Sequence, residues 1–263
     1  MKRCAAGLLA MVLAAGSGSA PARAAEAHGA LDGPRQAVEK ADYRISGHLV
    51  RVDAAGVRTS YPVTIKAHWF PGVLRVFIDL ASPSGTSSAT SPPIHVFLEL
   101  KPGGQNSIRL ARKGDAAATT LPVEKWTDGL AGTGFSFEDF FEEQFFWAGQ
   151  AVSEHVKYGA RDCDLVKSTP GATDKAHYAE ARTWLDRASN FPVYVEKTLK
   201  GNGAVKEYTY FGLRHEGGVW SASQIEEKTR GQAGSSLLII DRGSAKANLG
   251  PADFTPEQIT RFP

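Results

Sequence analysis

Residues 43–80 read YRISGHLVRVDAAGVRTSYPVTIKAHWFPGVLRVFIDL. Three runs within this stretch, 43–53, 58–70 and 73–80, alternate apolar and polar side chains with a period of two. That period belongs to strands, because successive side chains of an extended chain point to opposite faces. Asp53-Ala54-Ala55-Gly56 supplies a hairpin turn between the first two runs, and Pro71-Gly72 separates the second from the third. The stretch therefore predicts three successive antiparallel strands.

The same pattern continues outward. Residues 81–93 form a Ser/Pro/Thr-rich loop. IHVFLEL (94–100) and SIRLAR (107–112) then read as strands around Pro102-Gly103-Gly104. Residues 113–131 are irregular. Further strands are expected over 159–167, 178–186, 192–200, 205–215, 219–229 and 235–243, parted by short Gly-, Asn- and Pro-containing turns. Connections this short join antiparallel neighbours and cannot build a doubly wound parallel sheet. On the N-terminal side, residues 34–42 suit a short helix with Pro34 in its first turn. At the other end, Thr255, Pro256 and Gln258 mark the start of a closing helix that puts Ile259 and Phe262 on one side. The expected fold class is α+β, mainly β: an open curved antiparallel sheet, an unclosed half-barrel of about eleven strands, with short helices covering the concave face.

One segment breaks the pattern. GTGFSFEDFFEEQFFWAG, residues 132–149, holds six of the 13 Phe, followed by Trp147. Phe137, Phe140, Phe141 and Phe145 fall at i, i+3, i+4 and i+8, one face of a helix. Glu138, Asp139, Glu142 and Glu143 fall largely on the other face, where they would solvate the helix and favour its positive end. Ser136 followed by Asp139 resembles an N-cap with an acidic residue at N3. Residues 150–155 would prolong this helix or begin a second one. Such an aromatic face needs a large apolar partner, and the concave side of a curled sheet provides one.

The first residues read as a leader. Lys2 and Arg3 precede an apolar run over 5–15, too short to span a bilayer, and Ala22-Arg23-Ala24 ends in an A-x-A pattern. Cleavage is expected after Ala24, leaving residues 25–263 as one domain in an oxidising compartment. Basic and acidic residues number 30 and 28, and without Lys2, Arg3 and Arg23 they nearly balance. No basic run argues for nucleic acid. Cys4 lies before the apolar run, so Cys163 alone remains. It is expected to be a half-buried strand residue, with Asp162 and Asp164 on the opposite face.

A catalytic set is not evident. No two of the seven His lie three to five residues apart. No G-x-S-x-G elbow occurs where a strand meets a helix. Glu138 and Asp139 are adjacent, which on a helix aims them about 100° apart and so does not make an acid/base pair. No metal, cofactor or catalytic residue is expected.

The order of segments resembles a known family. GTGFSFEDF (132–140), YAEARTWLD (178–186), FPVYVEK (191–197), GNGAVKEY (201–208) and DFTPEQI (253–259) follow one another. The succession resembles the outer-membrane lipoprotein-sorting, LolA-like family of periplasmic carriers. Gly134 stands where the resemblance has an acidic residue, and residues 108–126 diverge. The resemblance implies an open curved sheet whose apolar interior holds the acyl chains of a lipoprotein or other lipid and carries them through the periplasm without chemistry. The implied partners are that lipid and a handover protein at the inner or outer membrane, with the carrier itself a monomer. A regulatory sensor that binds a membrane-protein segment on the same scaffold is the alternative. Groove and lid candidates are Phe135, Phe137, Phe140, Phe141, Phe145, Phe146, Trp147, Trp184, Tyr208, Tyr210, Phe211 and Trp220.

Overall fold

The computed structural model describes residues 11–12, 29–84, 92–103, 105–172, 174–216 and 219–262. The expected leader, apart from Met11 and Val12, and much of the Ser/Pro/Thr loop lie outside the described residues.

Among those residues the strands are β1 Met11–Val12, β2 Asp42–Val52, β3 Arg58–Phe70, β4 Val73–Leu80, β5 Ile94–Leu100, β6 Ser107–Arg112, β7 Thr119–Thr120 and β8 Gly149–Tyr158. They continue as β9 Arg161–Thr169, β10 Tyr178–Asp186, β11 Phe191–Leu199, β12 Val205–Phe211, β13 Arg214–Glu216, β14 Val219–Ser221, β15 Gln224–Thr229 and β16 Ser235–Ser244. Thirteen of these strands form one antiparallel sheet in the order β7-β6-β5-β4-β3-β2-β16-β15-β12-β11-β10-β9-β8. The terminal strands β7 and β8 do not pair, so the sheet is open. β1, β14 and β13 make a separate three-stranded sheet.

The strand number exceeds the expected eleven for local reasons. The predicted strand over 205–215 splits at Gly212, whose φ of 61° turns the backbone, and the one over 219–229 splits in the same region. Residues 150–155, expected to prolong the helix or begin a second one, lie instead in strand β8, paired with β9 from Gly149↔Thr169 to Tyr158↔Arg161.

The chain runs outward from β2 to β7 at one edge. Residues 121–148 then carry it to β8 at the opposite edge, and β9 to β16 return it to the middle. First and last long strands meet there, β2 against β16. Gly47 is required at this seam, because a Cβ on it would stand 1.9 Å from the Ile239 carbonyl oxygen, beside a bulge between Ile240 and Arg242.

Helix α1, Asp32–Val38, keeps Pro34 within its first turn. Leu31, Val38 and Ala41 join the main core cluster formed by the inward residues of the sheet. Helix α2, Pro256–Thr260, sits on the other face of the sheet. Its Ile259 packs with Phe77 and Phe97, while Ile78, Val96 and Leu98 point into the main core. β5 is therefore covered on both sides, which is why IHVFLEL is an almost unbroken buried run. Among the described residues, α1 and the 121–148 segment cover the concave face, with Ala222 and Trp220 packing beside α1 against Phe191. Cys163 is buried in β9, and burial raises its thiol pKa.

Candidate functional site

Residues 130–147 do not form the expected α-helix. They make three 3₁₀ turns, Leu130–Gly132, Phe137–Phe141 and Glu143–Phe145. The last two meet at Glu142, whose φ of 49° and ψ of 36° are left-handed and end the first turn. The Ser136 signal holds locally: its N–H and its Oγ both donate to Asp139 Oδ2, each at 2.8 Å. What fails is the solvated acidic face. Glu138 and Asp139 are 2% and 8% exposed.

Both carboxylates are buried because strands distant in sequence bring donors to them. Glu138 Oε1 accepts the His177 backbone N–H at 2.9 Å, and Oε2 lies 2.6 Å from His177 Nδ1. That hydrogen bond raises the imidazole pKa above its ordinary value. Asp139 enters a pair of buried lysines. Lys197 of β11 and Lys206 of β12 are cross-strand neighbours, an arrangement that like charges make unfavourable unless a counter-ion intervenes. Lys206 Nζ lies 2.5 Å from Asp139 Oδ2, and Lys197 Nζ lies 3.5 Å from Oδ1. Tyr178 donates its hydroxyl to Oδ1 at 2.6 Å. Burial alone would raise the Asp139 pKa, but the two ammonium charges and these hydrogen bonds hold it well below the carboxylate range.

Next to this network is a cavity of about 80 Å³. Its sheet side is aliphatic, with Ile45, Ile65, Val76, Ile225, Leu238 and Ile240. Phe135 and Phe140 close it from the crossing segment, and Tyr208 and Tyr210 from β12. The rings of Phe135 and Phe140 are 6.2 Å apart, and those of Phe135 and Tyr208 6.1 Å.

The other eight candidates lie elsewhere. Phe137, Phe141 and Phe145 are buried in the main core, where Phe141 meets Trp126 at 5.7 Å. Phe146 stacks on Trp69 at 5.7 Å. Trp147 is buried with Ala176, Tyr178 and Ala181. Trp184 packs edge-on to Tyr194 at 4.8 Å, and both face away from the cavity, because the neighbouring Val195 faces inward. Phe211 is exposed. Trp220 stacks on His215 at 4.8 Å in the small sheet.

Several residues at the site carried no separate sequence signal. Asp139, Glu142, Gln144 and Lys197 give the cavity a polar end, and Tyr43 and Phe191 also line it. The inward alternation of each strand was the available clue for Tyr43, Phe191 and Lys197. Burial raises the Glu142 pKa to about 7, against an opposing pull from Lys197. Glu143 rises to about 7 through burial and the Glu138 charge. Gln150 fixes the end of the segment: Nε2 donates to the carbonyls of Phe145 at 3.1 Å and Trp147 at 3.0 Å, and Oε1 accepts from Leu31 N–H at 3.2 Å.

Gly134 is explained by Glu227. A Cβ on Gly134 would stand 1.5 Å from Glu227 Oε2, so the carboxylate from β15 occupies the space of a side chain at 134. Burial raises the Glu227 pKa. The acidic group that the resemblance places at position 134 is thus replaced in space by one from a neighbouring strand.

Comparisons with known proteins agree with this architecture. A family model described as "Uncharacterized protein" matches residues 120–261. The chain is 26% identical over 141 residues to a UPF0313 protein of Thermotoga petrophila, covering 54% of this chain and 22% of that one. A UPF0313 protein of Thermotoga neapolitana is 25% identical over the same length. The chain spans only about a fifth of the length of these curated relatives. Among solved structures, a Vibrio parahaemolyticus domain named for outer membrane lipoprotein sorting superposes with a TM-score of 0.75 at 16% identity, over 88% of this chain and 97% of that one. A DUF1329 family protein from Desulfovibrio piger gives 0.73 at 11% identity, over 89% and 99%. A LolA superfamily protein from Nitrosomonas europaea gives 0.61 at 12% identity, over 89% and 100%. The fold is LolA-like.

Proposed function

The chain belongs to the family whose model spans residues 120–261, and from that premise and its LolA-like fold we propose that it is a periplasmic carrier of acyl chains. It takes the chains of lipoproteins or other lipids into the space between the open sheet and the 121–148 segment, and moves them toward the outer membrane without chemistry. Residues 1–24 act as the export leader and 25–263 as one carrier domain, with a membrane protein at each end of the route as donor or acceptor.

One observation carries this reading: within the main core, an aliphatic cavity lies between the continuous sheet and the aromatic segment laid over it. Burying an acyl chain gains about 0.8 kcal/mol per CH₂, so carriage through water needs such a surface. Ligand pockets commonly occupy about 300–1,000 Å³. At about 80 Å³ the cavity is smaller than that range. Loading requires the segment to lift, and Phe135 and Phe140 then exchange contacts with the sheet for contacts with cargo. Tyr208 and Tyr210 line the wall. Phe137, Phe141 and Phe145 hold the segment down, Phe146 and Trp147 anchor its end, and Trp184, Phe211 and Trp220 stand apart from the groove.

The test is extraction of lipid from protein purified from its periplasm, with native mass spectrometry of the intact sample. Bound acyl species are expected. Protein that is empty and also takes up no lipid or lipopeptide in vitro would overturn the reading.

A further inference from the structure

We propose that the cavity has a head-group subsite: Lys197, with Tyr208 and Gln144, receives the anionic head of a single-chain lipid whose tail lies along the aliphatic side. This rests on the carrier reading above and names the ligand class of the same site.

The two buried lysines are not equivalent. Lys206 Nζ has Asp139 Oδ2 at 2.5 Å, Ser136 Oγ at 3.4 Å and the Tyr178 hydroxyl at 3.4 Å. Lys197 Nζ has, among the described residues, one long hydrogen bond of 3.5 Å to Asp139 Oδ1. Its remaining surroundings are the ring faces of Tyr178 and Tyr208, with centroids at 5.2 and 5.0 Å. An ammonium has three donors, so Lys197 reaches the cavity with donor capacity unspent, while its side chain is only 6% exposed.

Two neighbours add polar groups beside it. The Tyr208 hydroxyl is buried beside Asp139, but no hydrogen bond of good geometry reaches it among the described residues. Gln144, 2% exposed, lines the same end of the cavity and offers an amide donor there. Buried polar groups are normally paired, and one left unpaired is unfavourable. Lys197, Tyr208 and Gln144 together present donors to one cavity and are complementary to an acceptor with several lone pairs. A carboxylate or phosphate fits this description, and an ester or alcohol offers less.

The charges point the same way. Lys197 and Lys206 bring two cations, and Asp139 supplies one fixed anion. Glu142 is the remaining carboxylate lining the cavity, and burial favours its neutral form. Glu143 also faces Lys197 and Glu227 faces Lys206, both pushed toward the neutral form by burial, and ionised Glu142 competes with a ligand anion for Lys197.

The experiment compares palmitate, hexadecanol and lysophosphatidic acid binding to the full chain by calorimetry. Palmitate should bind roughly tenfold or more tighter than hexadecanol, as expected for a charge-assisted hydrogen bond. Lysophosphatidic acid separates a carboxylate source from a phosphate source, and tighter binding of either than of hexadecanol supports the subsite. Lys197→Met should bring the anionic ligands down to the level of hexadecanol and leave hexadecanol unchanged. Tyr208→Phe, which removes one atom and keeps the ring, should weaken the anions several-fold, and Glu142→Gln should strengthen them. Equal affinity for all three lipids, or anion binding indifferent to both Lys197→Met and Tyr208→Phe, overturns the subsite and leaves the carrier intact. Binding of none of the three overturns the carrier reading itself, and the subsite with it.

Discussion

Asp139 and Lys206 stand 67 residues apart in sequence and 2.5 Å apart in space, both with side chains almost wholly buried. This contact pins the crossing segment to the sheet. Removing one member of a buried ion pair costs about 3–5 kcal/mol, because the partner is left charged and dry. Asp139→Asn should therefore lower unfolding free energy by that amount, measured in urea. Combining Asp139→Leu with Lys206→Met should recover part of it. A loss below about 1 kcal/mol would mean that the contact does not hold the segment.

The phenylalanines of the segment should divide into two groups. Phe141 is fully buried, so Phe141→Ala should cost about 3–5 kcal/mol. Phe140 lines the cavity and is half-buried, so Phe140→Ala should cost less and increase lipid retention. Chemical denaturation and lipid quantification of the two variants side by side check both parts. Equal losses with unchanged retention would make the whole segment ordinary core.

Stability should depend on pH in two opposite directions. Asp139 has a depressed pKa in the folded protein, so its contribution is present above the unfolded value of 3.8 and is lost as pH falls. Glu142 and Glu143 rise from 4.5 to about 7 on folding. The folded state then binds more protons between those values, and stability falls as pH rises through the window. His177, also raised, adds to the same decline above its ordinary 6.5. Both glutamates are partly open to solvent, which screens the effect to roughly 1 kcal/mol each. The melting temperature should peak near pH 5 and drop by about 2–4 °C per kcal/mol toward pH 8. Glu142→Gln should flatten that decline, and a flat profile in the wild type would refute the assignment.

Gly134 and Glu227 should be coupled. Gly134→Ala forces a methyl into the space of the Glu227 carboxylate and should cost about 1–3 kcal/mol. In a Glu227→Ala background the same change should cost markedly less. A double-mutant cycle in thermal or urea unfolding reads the difference, and strict additivity would show that the two positions do not compete.

Much of the sheet was legible because alternation is a local property. The runs at 58–70, 73–80, 94–100, 107–112 and 178–186 match β3, β4, β5, β6 and β10 residue for residue. The crossing segment was misread because its i, i+3, i+4 spacing suits an α-helix, whereas the left-handed Glu142 divides it into 3₁₀ turns. Burial of Glu138 and Asp139 depended on His177, Tyr178, Lys197 and Lys206, more than 35 residues away, and no local pattern announces such partners. Residues 150–155 were misread because an exposed edge strand has little apolar alternation: most side chains of β8 face solvent.

The 121–148 segment begins at one rim of the open sheet and ends at the other. A flap fixed at one side can swing freely; a chain tied at both sides behaves like a bowstring. It can rise only by bowing outward at fixed span or by drawing the two rims together. Sheet curvature and the position of the segment above it are therefore linked, and Asp139, held by Lys197 and Lys206, is the polar point at which they meet.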